Sequence, residues 1–340
     1  MHTRRRPAHL TAVAVGLALC LTAAACGGDT DDDAAVVSTT DAPATTAAPT
    51  TTAAPTTTEA TTTTAEPTTT TAVPPVIEPI PIDPPEPIPA EAPAGMELVW
   101  SDEFDGDEID LANWTYDLGG WGWGNGEAQY YTDRPVNSRL DSGLLVIELH
   151  EERFDGSSYT SARLKTQDLQ EFQYGRIEAR IRVPAGSGTW PAFWMLGSGF
   201  EEGSEDIERS WPTVGEIDIM EHVGREPDLI MGTAHGPGYA GAGGKSKWFR
   251  QDFDIADEFH VYAVDWTEDS LTWSFDGQEY FEITPDNLGR REWVFDKEFF
   301  IILNLALGGT LGGVIDLDLE FPLRYYVDYV RVYQPVADAG

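Results

Sequence analysis

No tryptophan, tyrosine or phenylalanine precedes Trp100 in this chain of 340 residues. A packed core needs large apolar side chains, so the globular part begins only near Ala94. Cysteine is almost as scarce. Cys20 and Cys26 are the only two, and both lie in the aromatic-free stretch. The folded part therefore has no disulfide, no thiolate nucleophile and no cysteine-based metal site. Positive charge is also thin, with 21 Lys and Arg against 58 Asp and Glu, a formal net charge of −37. Apart from Arg4, Arg5 and Arg6 the cations are scattered. Without a basic stripe the chain lacks the electrostatic footprint of a nucleic-acid binder. A sulfated or uronate polymer would be repelled as well, and an uncharged partner fits better.

The N-terminal stretch has its own logic. Arg4-Arg5-Arg6 precedes an apolar run from Leu10 to Leu21, the charged and hydrophobic regions of a signal peptide, too short for a permanent membrane span. Ala23-Ala24-Ala25-Cys26-Gly27-Gly28 resembles a bacterial lipoprotein cleavage site, although Ala23 stands where Leu is commonest. Residues 1–25 are thus expected to be a lipoprotein-type signal peptide, with Cys26 lipidated as the first mature residue; ordinary secretion is the alternative. Residues 26–95 are dominated by Thr, Ala and Pro. Such a composition buries too little apolar surface to offset the entropy of ordering, so this segment reads as a disordered tether. The expectation is an exported, cell-surface protein, attached to a membrane only through lipid and acting as a monomer.

Residues 96–336 read as one all-β domain. Short runs rich in Val, Ile, Tyr, Phe and Trp recur between Gly, Asp and Asn clusters: 144–149, 176–183, 259–266, 271–275, 299–307 and 325–333. Those are strand signals, and Asp276-Gly277 marks a hairpin turn. Many short strands with no long helical pattern predict a sandwich or jelly roll.

One run carries chemistry. Gly215-Glu216-Ile217-Asp218-Ile219-Met220-Glu221-His222 places three acids in six residues. Strand side chains alternate faces, so Glu216 and Asp218 share one and Ile217 and Ile219 the other. Glu221 follows Glu216 by five, an odd offset that points it away unless one extra residue sits in a β-bulge. With the bulge, three carboxylates crowd one face. Their repulsion raises at least one pKa and separates an acid from a base, which glycoside hydrolysis requires. Spacing alone leaves two other readings open: a solvated strand face, or a hard-cation site helped by the nearby His222 or His235.

The same run resembles the bulged active-site strand of laminarinase-like family 16 glycoside hydrolases. The resemblance extends from about Leu98 to Gln334. It includes Trp190-Pro191-Ala192-Phe193-Trp194, Trp211-Pro212, the segment from Phe299 to Gly309, and the segment from Val327 to Tyr333. It implies a β-jelly-roll sandwich of two antiparallel sheets with a concave substrate cleft, and retaining endo-hydrolysis of β-1,3-glucan. Glu216 would be the nucleophile, Glu221 the acid/base and Asp218 their electrostatic helper, with no cofactor in the chemistry. Trp190, Trp194, Trp211, His235, Arg163, Trp123, Asn125 and Glu127 would contact the glucan. Family members often carry Asn-Asn-Glu where this chain has Asn125-Gly126-Glu127. Glu103, Gly143 and Asp328 match positions that hold a structural calcium ion in relatives. Mixed-linkage or galactan preference, transglycosylation during wall remodelling, and a non-catalytic glucan-binding role are the rivals; the last predicts loss of a catalytic Glu, and both are present.

Overall fold

The computed structural model describes residues 80–336. The expected signal peptide, the Cys26 lipidation site and the tether up to residue 79 lie outside them.

Two sheets face each other. The larger has ten strands and runs Gln278–Ile283, Leu271–Phe275, His260–Trp266, Gly175–Arg182, Leu323–Pro335, Leu144–Phe154, Ser157–Ser161 and Gln129–Tyr131, with Met96–Asp102 and Ser138–Asp141 branching from it. The smaller has eight and runs Lys245–Arg250, Leu229–His235, Glu216–His222, Thr189–Gly197, Phe299–Leu307, Arg163–Lys165 and Thr115–Tyr116, with Glu171–Phe172 beside Phe299–Leu307. Pairing is antiparallel except between Gln129–Tyr131 and Ser157–Ser161. The predicted sandwich is therefore present, with one parallel pair that local patterning does not reveal. Among the described residues helix is confined to single turns such as Pro285–Leu288 and Gly309–Gly312.

Period-two patterning builds the core. Ile301, Leu303, Leu305 and Leu307 of one strand meet Phe193 and Met195 of its neighbour. Opposite them the larger sheet contributes Ile147, Leu149, Ile177, Ile181, Val327 and Val330. Each such side chain stabilises the sandwich by roughly 1.5–3 kcal/mol relative to exposure. At the predicted hairpin, Asp276 and Gly277 both take positive φ, +48° and +77°, as a two-residue turn matched to strand twist demands.

The expected tether is corrected at its C-terminal end. Residues 80–95 were read as disordered from their proline content, yet they form a strap along the outer face of the larger sheet. Ile80 and Ile82 pack against Leu144, Val146 and Tyr326. Arg180 donates to the Glu86 carbonyl at 2.8 Å, and Arg331 donates to the Ile88 carbonyl at 2.7 Å. Proline removes backbone N–H donors, and guanidinium groups on the sheet donate to strap carbonyls in their place.

Candidate active site

The open face of the smaller sheet gathers the sequence-predicted acids. In the register with Thr189–Gly197, Leu196 faces Glu216, Trp194 faces Asp218 and Ala192 faces Glu221, with a slip between Phe193 and Trp194. The pairing with Leu229–His235 slips at the same place: His235 faces Glu216, Thr233 faces Asp218 and Met231 faces Glu221. The predicted bulge is there, and Glu216, Asp218 and Glu221 all point the same way. Ile217, Ile219 and Met220 go to the core instead.

Each outer acid holds an indole. Trp211 Nε1 donates to Glu216 Oε2 at 3.0 Å, and Trp190 Nε1 donates to Glu221 Oε1 at 3.0 Å. His235 Nε2 lies 3.2 Å from Asp218 Oδ2 and 3.5 Å from Glu216 Oε1. The ring thus sits against both the middle acid and Glu216. Among the described residues no guanidinium or ammonium pairs with the three carboxylates. Burial, and then the charge of Asp218, push Glu216 and Glu221 up to about 8; burial pushes Asp218 up to about 8 as well, against a hydrogen bond from Glu216. The set therefore keeps protons at neutral pH that isolated carboxylates would release, and it titrates as a unit.

Around this centre the side chains lock one another. Trp194 Nε1 donates to Asn304 Oδ1 at 2.7 Å. The Arg163 guanidinium sits between two rings, 4.8 Å from Trp123 and 4.7 Å from Trp194, with Nε held by Asp117 Oδ2 at 2.9 Å. Arg163 is buried, so it shapes the surface as a spacer between tryptophans. A desolvated cation–π contact of this kind is worth up to about 2 kcal/mol. Trp123 lies in a loop where Gly122, Gly124 and Gly126 all take positive φ, a backbone path that L-residues follow only with strain. Exposed Trp121 covers Trp123, with ring centroids 4.0 Å apart. Glu127 is occupied within the loop: it accepts from Asn125 Nδ2 at 3.1 Å, Gln129 Nε2 at 2.6 Å and the Tyr131 hydroxyl at 3.0 Å.

Some neighbours escaped sequence reasoning. Asn304 is the only polar residue in the run Phe299–Leu307, a signal that was available. Thr233, two before His235 on the same face, reaches Glu221 Oε2 at 3.5 Å. Trp248 is exposed beside Met231 at the sheet's edge and had no local signature. His222, by contrast, is turned away: it is fully buried and bonded through Nδ1 to the Leu229 carbonyl at 2.8 Å.

The expected calcium residues are otherwise engaged. Both oxygens of Glu103 accept from Arg331, at 2.9 and 2.7 Å, and Asp328 Oδ2 accepts from Arg180 at 3.0 Å. Gly143 sits at a turn with φ +77°. Guanidinium charge already balances both carboxylates, so this donor set does not fit a divalent cation as it stands. A cavity of about 750 Å³, lined by Leu111, Trp114, Tyr116, Arg139 and Leu169, contains none of the predicted site residues. The carboxylates lie on an open sheet face, suited to a long polymer, rather than in an enclosed hole.

Known proteins share this arrangement. The family model for glycosyl hydrolases family 16 matches residues 120–308, the stretch from the Trp123 loop through the bulged strand to Asn304 and beyond. A β-glucanase of Rhodothermus marinus is 45% identical over 247 residues, covering 70% of this chain and 85% of its own. A glucan endo-1,3-β-glucosidase of Cryptopygus antarcticus is 40% identical, covering 64% of this chain and 82% of its own. Among solved structures, the laminarinase catalytic domain of Thermotoga maritima is 42% identical with a TM-score of 0.66, covering 71% of this chain and 99% of that one. Sequence, fold and the placement of the acids thus converge, and the chain belongs to glycosyl hydrolases family 16.

Proposed function

We propose that this glycoside hydrolase cuts β-1,3-glucan internally with retention of configuration, by two displacements on Glu216 and Glu221. The observation that carries this reading is the bulged register, which puts Glu216, Asp218 and Glu221 side by side on an open face. Glu216, ionised, attacks the anomeric carbon. Glu221 gives its proton to the departing glycosidic oxygen, then takes one from the water that releases the glycosyl-enzyme. Asp218 lies between them and shares the proton load, so that one glutamate is charged while the other is not. Trp190 and Trp211 aim the two glutamates through their indole N–H groups and offer ring faces to sugar, alongside Trp194, Trp121 and Trp123. Arg163, Asn125 and Glu127 hold that aromatic wall in shape. No cofactor enters these steps, in keeping with the family's chemistry.

Support for the linkage comes from relatives described as endo-1,3-β-glucosidase and laminarinase. Reducing-sugar release from laminarin, mixed-linkage glucan and a galactan tests it: the highest kcat/KM on laminarin is expected, and preference for another polymer would overturn the linkage. Proton NMR of the first products should show the β-anomer. Early α-anomer would refute the two-displacement mechanism.

Export and attachment through a lipid at Cys26 form part of the same proposal, supported by the Arg4–Leu21 pattern and the small residues before Cys26. Mass spectrometry of the mature N-terminus should find diacylglyceryl-Cys26. An unmodified N-terminus elsewhere would remove the anchor. Sedimentation of the soluble domain should give a monomer.

A further inference from the structure

A bulge locally disrupts the strand ladder, so something must hold its backbone in place. Here Ile219 has no partner on Thr189–Gly197, and Ile219 and Met220 together oppose the single residue Gly232. At this point the opposing sheet reaches across the sandwich. Trp273, on Leu271–Phe275 of the ten-stranded sheet, donates its Nε1 hydrogen to the Asp218 carbonyl at 2.8 Å, and the bond is buried. Trp273 is itself fully buried and stacked on Phe281 at 4.8 Å. Its approach depends on the residue opposite the bulge. A Cβ at position 232 would stand 2.5 Å from Trp273 Cδ1, 2.8 Å from its Nε1 and 2.7 Å from the Tyr280 hydroxyl. Gly232 is not among the glycines with positive φ, so the backbone there would accept any L-residue. Space for the indole is what requires glycine.

We propose that Trp273 is a positioning residue for the acids: its indole clamps the Asp218 carbonyl, fixes the bulge, and so keeps Asp218 and Glu221 on the face of Glu216, with Gly232 admitting the ring. Asp218 is both the clamped residue and the middle acid, so a loosened clamp moves the group that couples the two glutamates. Glu221 follows the bulge and turns with it. The inference rests on the roles proposed above for these three residues.

The molecule supplies its own control. Trp266, also fully buried, donates from the same sheet to the Phe295 carbonyl at 2.9 Å, but touches no part of the bulged strand through that bond. Trp273→Phe and Trp266→Phe therefore each delete one buried indole bond, and only the first should disturb chemistry. Melting temperature, kcat, KM and the pH profile of kcat/KM on laminarin would be compared. Trp273→Phe should lower kcat about ten- to a hundredfold, as a small misplacement of reacting groups does, with KM little changed. Its alkaline limb should move to lower pH, because an acid drawn away from Asp218 gives up its proton more easily. Trp266→Phe should lose comparable melting temperature with kcat and pH profile intact. Gly232→Ala, which keeps the indole but displaces it, should reproduce the Trp273→Phe signature and serves if that variant does not fold. Folded Trp273→Phe or Gly232→Ala protein with the wild-type kcat and pH profile would overturn the proposal. Wild-type protein inert on every β-glucan would overturn the functional reading instead, so the two failures are distinct.

Discussion

Glu148, on the outer face of the ten-stranded sheet, and the set Glu216, Asp218 and Glu221, on the open face of the eight-stranded sheet, are all withdrawn from water. Burial alone would raise every one of them. Around Glu148 it is outweighed by hydrogen bonds from His150 at 2.9 Å, Arg139 at 2.8 Å and Arg324 at 2.8 Å, and the carboxyl falls to about 2. The two open-face glutamates receive one indole each, with an imidazole lying beside Asp218, and all three acids stay near 8. The same residue type is thus a structural anion on one face and a proton store on the other. What differs is whether a guanidinium is within reach. Charge scarcity makes the contrast sharper: the chain has 21 Lys and Arg, and among the described residues several serve the outer face while no Lys or Arg pairs with the acids of the open face.

Exchanging charge for amide should separate the two faces most clearly. Glu216→Gln and Glu221→Gln should each lower kcat/KM on laminarin by about a thousandfold or more. Their melting temperature should hold or rise, since a crowded, uncompensated acid has gone. Glu148→Gln should do the reverse, costing about 3 kcal/mol of stability in denaturant titration while kcat stays within about twofold, because it removes the buried anion shared by two part-buried arginines.

Proton linkage gives the next contrast. Glu148 has a folded pKa below its unfolded value, so its contribution is complete above about pH 4.5 and is lost as pH falls toward 2. The open-face acids have folded values above their unfolded ones, so ionising them costs stability that accumulates as pH rises from about 4 through 8. Melting temperature should therefore rise with pH on the acid side and decline toward pH 8. Glu216→Gln should flatten the decline and leave the acid-side rise. The same raised values predict that kcat/KM falls above about pH 8, as Glu221 loses the proton it must donate.

Smaller effects test the neighbours. Trp211→Phe removes the indole bond to Glu216 and should lower kcat/KM about tenfold, with the acid limb of the pH profile moving to higher pH. Ile82→Ser, in the strap, should cost about 1 kcal/mol in thermal unfolding and leave kinetics unchanged.

The legible part of the molecule is its local periodicity. Short apolar or alternating runs at 271–275 and 299–307 marked the observed strands, and the odd gap between Glu216 and Glu221 required a bulge that the register contains. Contacts set by distant pairing were hidden. Trp273 is 55 residues from the carbonyl it holds, and nothing in the spacing marks Gly232 as its gap. The cation–π sandwich at Arg163 depends on Trp123 and Trp194 arriving from separate elements. The arginines that occupy Glu103 and Asp328 come from other register positions, so matching the carboxylates by motif missed their neutralisation. The strap was misread because proline content reports the chain's own hydrogen-bonding capacity and not what a sheet can lend it.

The strap also sets the path of mechanical load. A pull arriving from the N-terminal side of Ile80 meets the Ile80 and Ile82 contacts, then the arginine grips on Glu86 and Ile88, then Met96–Asp102 paired along Leu323–Pro335. All of these belong to the ten-stranded sheet or lie on it. The strand carrying Glu216 and Glu221 is in the other sheet, off that line. Tension applied from that side would be borne by one layer of the sandwich while the other keeps its ångström-scale geometry.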